Sequence, residues 1–166
     1  MKINIDFTKD DYWKLNKYVM FHMPQFKNMI LLVMILLPIL MCTALKVLGR
    51  SWEVSIILGL LIGILADLYL VFSVKFKVQR HVKTNKGLIG EHTIEINEQG
   101  FTETTSINQT NYPWSKVAHL REDTQYFYVF VNDTQGIGVP KRGFANTAQQ
   151  TEFRQFVEKY ANRRWG

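Results

Sequence analysis

The chain has 166 residues, of which 47% are hydrophobic and 20% charged, and its formal net charge is +6. This length accommodates one compact domain, or a membrane segment with one small domain. The basic excess lies in residues 1–28 and 75–90, whereas residues 91–166 carry nine acidic and eight basic side chains, which argues against nucleic-acid binding. The single cysteine, Cys42, excludes an intrachain disulfide.

The N-terminal segment predicts a strand followed by a helix. Residues 3–7 alternate between apolar and polar side chains, as a strand does. Thr8 stands in the position of an N-cap, with Asp10 and Asp11 in the first turn of an amphipathic helix over about residues 9–23. Pro24 ends or bends this helix. We expect residues 1–28 to pack with the soluble domain, with the helix under that domain or at the membrane surface.

Two long apolar runs follow and predict a transmembrane hairpin over residues 29–74. Residues 29–45 contain no charge, and residues 54–74 contain only Asp67. The first run spans roughly 25 Å as a helix and reaches about residue 48 if Lys46 snorkels. Pro38 predicts a kink within it. A hairpin buried in a soluble core is the alternative, but these runs exceed what so small a core could cover. We therefore predict transmembrane helices at about residues 29–48 and 54–74.

The distribution of Lys and Arg predicts the orientation. The loop between the apolar runs carries only Lys46 and Arg50, and the flanks carry Lys14, Lys17, Lys27, Lys75, Lys77, Arg80, Lys83 and Lys86. By the positive-inside rule both termini are expected to be cytoplasmic. The basic juxtamembrane segment, residues 75–90, is expected to contact anionic lipid headgroups.

The second apolar run contains a candidate polar contact within the membrane. A charge such as Asp67 costs about 2.5–3.5 kcal/mol there and faces a partner or a polar cavity by default. Gly59 and Gly63 form a small-xxx-small pair on the same helix, which favours close helix contact. We expect either a functional role for Asp67 or a packing contact, including a contact between two copies of the chain.

Residues 91–166 predict a cytoplasmic β domain that ends in a helix. Alternation at residues 92–96 and 101–106, around a turn at 97–100, indicates a hairpin. Residues 108–111 are expected to form a turn, and further strands are expected at about 114–120, 126–131 and 137–139. Helical spacing begins at Thr147. The expected fold class is thus an α+β membrane protein, with an antiparallel sheet or barrel that the N-terminal strand completes and the C-terminal helix caps.

The order of these segments resembles the YcxB-like family of bacterial membrane proteins. The residues that carry the resemblance are EHTIEINEQGF at 91–101, YPWSKV at 112–117, YFYVFV at 126–131 and VPKRGF at 139–144. The resemblance implies a strand and helix, two transmembrane helices in the bacterial inner membrane and a domain similar to bacterial pleckstrin-homology-like folds. It also implies, from related small membrane proteins, a role in self-protection against bacteriocins.

No residue pattern indicates an enzyme. The four histidines, His22, His81, His92 and His119, lack metal-ligand spacing, and no Gly-x-Ser-x-Gly or phosphate-binding loop is present. We therefore expect no catalytic residue, no metal site and no cofactor. Lys141 and Arg142, beside Pro140, are the candidate turn for binding an anionic lipid or a partner; a solvated basic turn is the alternative.

These patterns predict a non-catalytic binding module that is anchored in the membrane and presents its domain to a protein partner at the cytoplasmic leaflet. One version is an immunity or tolerance factor against a membrane-active toxin. The alternative is an accessory subunit of a transporter or another membrane complex, with Asp67 in a helix–helix contact. Anionic lipid, an unidentified protein and a second copy of the chain are the expected partners, and nucleic acid is not.

Overall fold

The computed structural model describes the backbone of residues 1–166 and every side chain apart from that of Lys86. The chain divides into two compact units. We call residues 1–17 and 80–166 the β unit, and residues 18–79 the helical hairpin. In chain order, the helices and strands are β1 (Lys2–Phe7), α1 (Lys9–His22), α2 (Pro24–Val47), α3 (Trp52–Thr84), β2 (Gly90–Asn97), β3 (Gly100–Thr104), β4 (Gln109–Pro113), β5 (His119–Glu122), β6 (Tyr126–Phe130), β7 (Gly136–Pro140) and α4 (Thr147–Ala161).

Two antiparallel sheets form the β unit. The first has the strand order β1-β2-β3-β4 and the second β5-β6-β7. The N-terminal strand β1 pairs with β2, with Lys2 opposite Glu95 and Phe7 opposite Gly90. The two sheets and the helices make the chain a mixed α+β protein, as the sequence predicts.

Alternation and a capping box explain the first two elements. Every second side chain of β1 is buried, namely Ile3, Ile5 and Phe7. At the start of α1, the Thr8 hydroxyl accepts a hydrogen bond from the Asp11 backbone N–H over 3.2 Å, and the Asp11 carboxylate accepts one from the Thr8 N–H over 2.8 Å. This reciprocal pair satisfies donors that a helix start leaves open.

The helix α4 covers the core that the two sheets share. Its residues Phe153, Val157 and Ala161 are buried with the inward side chains of both sheets. The Asn146 side chain caps its start by accepting from the Gln149 N–H over 2.9 Å, and Asn162 ends it in the left-handed conformation at φ 50°.

The segment around residues 109–120 differs from the prediction. The expected turn at 108–111 overlaps β4, and the expected strand at 114–120 begins instead as a 3-10 turn, Trp114–Lys116, before β5. β4 is an edge strand without a buried side chain, so it lacks the alternation that reveals a strand. Trp114 is buried, and its indole N–H donates to the Asn97 carbonyl over 2.8 Å, which fixes the turn.

Helices α2 and α3 run antiparallel within the helical hairpin. Gly59 lies against Cys42 and Gly63 against Pro38, so contacts move backward along α2 as they move forward along α3. Of the most apolar stretch of each helix, only 6% in α2 and 22% in α3 is buried. The core helix of a soluble protein is mostly buried, and so much exposed apolar surface is unusual for one. By length and composition both helices can cross a membrane, and they fit membrane association.

Candidate functional site

The predicted turn at Lys141 and Arg142 follows β7 as one 3-10 turn. Two guanidinium nitrogens of Arg142 donate to the two carboxylate oxygens of Asp11 in α1, each over 2.6 Å. The Tyr126 hydroxyl donates to the same carboxylate. We call Asp11, Tyr126 and Arg142 the Asp11 clamp. Because Asp11 is only 2% exposed, Arg142 neutralises a buried charge and links the C-terminal turn to the N-terminal helix.

The clamp fixes the charge state of its members. Burial by itself raises the pKa of Asp11, but hydrogen bonds from Arg142, Thr8 and Tyr126 outweigh it and hold that pKa well below its usual range. Burial and the hydrogen bond to Asp11 raise the pKa of Tyr126. At neutral pH the clamp therefore holds an ionised carboxylate, a neutral phenol and a guanidinium cation.

Lys141 is also engaged within the β unit. Its ammonium group donates to the Asp123 carbonyl over 2.6 Å, lies 3.4 Å from a Glu122 carboxylate oxygen and sits 4.6 Å above the centre of the Phe127 ring. Together with Lys14 and Arg142 it lines a hollow of about 290 Å³. Lys14 pairs with Asp10 over 3.1 Å. All three cations thus have an acidic neighbour, and the binding role predicted for Lys141 and Arg142 stays a prediction.

A second cavity in the β unit, of about 240 Å³, is lined by strands of both sheets and by α1. We call it the His92 recess; it has apolar walls, such as Phe7 and Ile137, and polar walls that include His92 and Glu103. Its lining consists of Phe7, Tyr12, Leu15, Gly87, Leu88, His92, Glu103, Thr105, Asn108, Thr110, Tyr112, Gly136, Ile137 and Gly138.

One nitrogen of His92 is oriented and the other is unsatisfied. The side chain is 5% exposed, and Nδ1 lies 2.8 Å from the Glu103 carboxylate. Because a carboxylate accepts, Nδ1 carries the proton of this hydrogen bond. The buried Nε2 has no hydrogen-bond partner among the described side chains and backbone. Native proteins rarely leave such an atom unpaired, so a water molecule or a polar group of a ligand can pair with it here.

Tyr112 adds a protonated hydroxyl to the same recess. Burial raises the pKa of Tyr112, and the negative charge of Glu103 raises it further. Its ring stacks on Phe101 with centroids 4.7 Å apart. The recess therefore combines a phenol, an imidazole and a carboxylate with apolar walls, which is a composition typical of binding sites.

In the helical hairpin, the predicted intramembrane residues have different surroundings. A Cβ at Gly59 would lie 2.5 Å from Cys42 Sγ, and one at Gly63 would lie 2.5 Å from Pro38 Cα. Because both glycines lack a side chain, α2 of the same chain can pack closely against α3. Asp67, one turn after Gly63, is 7% exposed and lines a separate apolar pocket. A contact of this face with a second copy of the chain stays a prediction.

The predicted basic juxtamembrane residues mostly belong to α3. The helix continues to Thr84, ten residues past the predicted end of the apolar run, and thus contains Lys75, Lys77, Arg80 and Lys83. Lys and Arg are good helix formers, which explains the extension. The side chain of Lys86 lies outside the described residues.

Part of the β unit is similar to a known protein family. Residues 96–157 match the model of the YcxB-like protein family. The resemblance inferred from the sequence is thereby confirmed for this region, which extends from the end of β2 into α4. The YcxB-like region contains Glu103, Tyr126, Lys141 and Arg142, whereas Asp11, Asp67 and His92 lie outside it. No curated protein and no solved structure matches the chain.

Sequence reasoning missed the His92 recess. The usable signal was alternation, because His92 precedes Ile94 and Ile96 on the inward face of β2. Its partner Glu103 belongs to the YcxB-like region and pairs in register with Ile94, one inward position from His92. Finding the pair needed this register, which no local pattern supplies. Among the described residues, no group of three His, Cys, Asp or Glu side chains could hold a metal ion.

Proposed function

We propose that this protein is a non-catalytic binding module anchored in the bacterial inner membrane. In this proposal α2 and α3 span the bilayer and the β unit presents a recess to a partner at the cytoplasmic leaflet. The observation that carries the proposal is the His92 recess. Glu103 holds the imidazole through Nδ1, and the buried Nε2 has no hydrogen-bond partner among the described groups. A site of this kind binds a ligand group without needing a nucleophile.

Chain connectivity supports the anchoring. Both ends of the helical hairpin continue into the same β unit, because residues 1–17 and 80–166 form one compact body. Two spanning helices return the chain to the side from which it started. The excess of Lys and Arg outside the loop at residues 48–51 favours the cytoplasm as that side.

The strand arrangement supports a pleckstrin-homology-like domain. Sheets of four and three antiparallel strands share one core, and a C-terminal helix covers it. This is the arrangement that the resemblance to the YcxB-like family implies. An immunity or tolerance factor, which would use this domain against a membrane-active toxin, is one version of the proposal.

Position-specific photocrosslinking in native membranes tests the proposal. A photoreactive residue at Ile107, which is exposed in the turn after β3, should give a defined product. The same residue at Gln155, on the exposed face of α4, should not. The substitution His92→Phe keeps a ring of similar shape but deletes both nitrogens, and it should weaken the Ile107 product while the melting temperature stays close to that of the unmodified protein.

Equal products from both positions, or an Ile107 product unaffected by His92→Phe, would reject the recess as the binding site. The identity of a crosslinked protein then separates the versions: a toxin favours immunity and a transporter favours an accessory subunit.

The accessory-subunit alternative rests on Asp67. Its Oδ1 is buried without a hydrogen-bond partner in the part of the chain that the structure describes, and a helix of another protein could supply one. Asp67→Asn should damage association in this alternative and weaken the Ile107 crosslink, whereas under the leading proposal the Ile107 crosslink should stay unchanged.

A further inference from the structure

The pocket beside Asp67 is small and almost entirely apolar. It has a volume of about 120 Å³ and lies within the helical hairpin. Three of its lining side chains are methionines, Met20, Met29 and Met34; apart from Asp67, the others described are Ile, Val and Leu. An engineered cavity of about 150 Å³ holds one benzene molecule, so this smaller pocket accommodates a group smaller than benzene.

Asp67 is the polar exception in this lining. The side chain is 7% exposed, and Oδ1 has no hydrogen-bond partner among the described residues. The pocket lining includes no described Lys, Arg or His. A buried carboxylate without a partner is strongly unfavourable unless a donor, preferably a cation, pairs with it or a proton neutralises it.

Lys46, in the last turn of α2, is already engaged. The Lys46 ammonium lies 5.1 Å from the centre of the Trp52 ring and 3.4 Å from the Arg50 carbonyl. Lys46 is also at the opposite end of α2 from Met29, so it cannot reach the pocket. Lys46 therefore does not supply the donor that Asp67 lacks.

We infer that the Asp67 pocket binds an alkylammonium group. The ammonium N–H donates to Oδ1 of Asp67, and the charge pairs with the carboxylate. The short alkyl part contacts the flexible and polarizable methionine side chains, which adapt to irregular ligands. The group belongs either to a small soluble amine or to an ethanolamine headgroup. This inference concerns the helical hairpin and does not depend on the His92 recess.

Methionine methyl NMR tests the inference with controls that the chain provides. All six methionines lie within residues 1–41; Met20, Met29 and Met34 line the pocket, and Met1, Met23 and Met41 do not. The full chain is labelled at the methionine methyl groups and held in a non-ionic maltoside detergent. Propylammonium chloride should shift the first three signals saturably and leave the other three in place, whereas sodium chloride at the same concentration should not.

Two comparisons decide whether the carboxylate recognises the ammonium. The neutral analogue 1-propanol has nearly the same shape and should give at least tenfold weaker binding. Asp67→Asn should abolish the saturable shifts, while the matched change Glu53→Gln, at an exposed position of the same helix, should preserve them. Equal binding of 1-propanol, unchanged binding by Asp67→Asn, or no shift of the pocket methionines would overturn the inference.

The source of the ammonium is determined in lipid nanodiscs. If the headgroup is the ligand, discs with phosphatidylethanolamine shift the three pocket signals relative to phosphatidylglycerol discs, and Asp67→Asn removes the difference. If a soluble amine is the ligand, the two discs give the same signals and propylammonium shifts them in both. Failure of the Ile107 crosslinking would leave these outcomes unaffected, since the two sites share no residue.

Discussion

The β unit and the helical hairpin bury polar side chains in different ways. In the β unit, Asp11 receives hydrogen bonds from Thr8, Tyr126 and Arg142, and His92 has Glu103 on one of its nitrogens. In the hairpin, Asp67 has an oxygen without a donor in the described structure.

The helix starts also differ in their polar contacts. The Asn146 side chain caps α4, whereas Met23 makes no side-chain cap to α2, which begins at Pro24. Polar contacts thus define the β unit, and close packing defines the hairpin.

The largest effect is expected when the cation of the Asp11 clamp is removed. Arg142→Ala leaves the buried Asp11 carboxylate without its ion pair and should lower the free energy of unfolding of the β unit by about 3 kcal/mol. Urea unfolding followed by tryptophan fluorescence measures this, in a Trp52→Phe background that leaves only the β-unit tryptophans. The control is Lys2→Ala, which breaks an exposed pair with Glu95 and should change stability by less than about 0.5 kcal/mol. Equal effects of the two changes would contradict the assigned role of the clamp.

Acid should weaken the same clamp by a smaller amount within the accessible pH range. The pKa of Asp11 in the folded protein lies below its value in the unfolded chain, so the stabilisation is complete above the unfolded pKa and is lost as pH falls toward the folded one. We expect unfolding free energy to decrease below about pH 4. Asp11→Asn removes this contribution, so its stability should depend less on pH over the same interval. Parallel pH curves for the two proteins would exclude Asp11 as the responsible group.

An intermediate effect is expected from closing the space between α2 and α3. A Cβ at Gly63 would meet the Pro38 backbone, which cannot move aside as a flexible side chain does. Gly63→Ala should therefore destabilise the hairpin by about 1–3 kcal/mol. Thermal unfolding in detergent, followed by helical circular dichroism, measures the change. Ile64→Ala is the control because Ile64 is 53% exposed and should have little effect on the melting temperature. A larger loss at Ile64 would show that packing across the glycine face does not hold the hairpin.

The smallest expected effect comes from a helix cap. Asn146→Ala removes the acceptor for the Gln149 N–H and should cost about 1 kcal/mol of β-unit stability. Gln155→Ala, at an exposed interior position of α4, should be neutral. Urea unfolding distinguishes the two, and an unchanged midpoint for Asn146→Ala would show that the cap contributes little.

The sequence predicts elements well where a local pattern records burial. The inward series Ile3, Ile5 and Phe7 marks β1, and the uncharged residues 29–45 mark most of α2. The polar edge strand β4 has no such pattern of apolar residues, because none of its side chains is buried. The sequence also places the glycines and Asp67 on one helix, but only the structure shows that the glycines face α2.

Long-range pairs explain most of what the sequence does not reveal at the candidate sites. Asp11 reads locally as a favourable residue for a helix start, and its partner Arg142 is 131 residues away. The sequence predicts a lipid-binding site at the basic turn, because its acidic neighbours, such as Glu122, come from another strand and are not adjacent in sequence. His92 reads as one of four scattered histidines until the β2–β3 register places Glu103 beside it.

The pairing of β1 with β2 has a consequence for the order of folding. The Met1 ammonium donates to the Ile96 carbonyl, so the first strand has to wait for a partner that is synthesised 95 residues later. At roughly 5–20 residues per second, β1 stays unpaired for about 5–20 s during translation. The antiparallel contact of α2 and α3 can form before β2 exists and shortens the effective loop that β1 and β2 then have to close. Hairpin formation is thus expected to precede and to accelerate assembly of the first sheet.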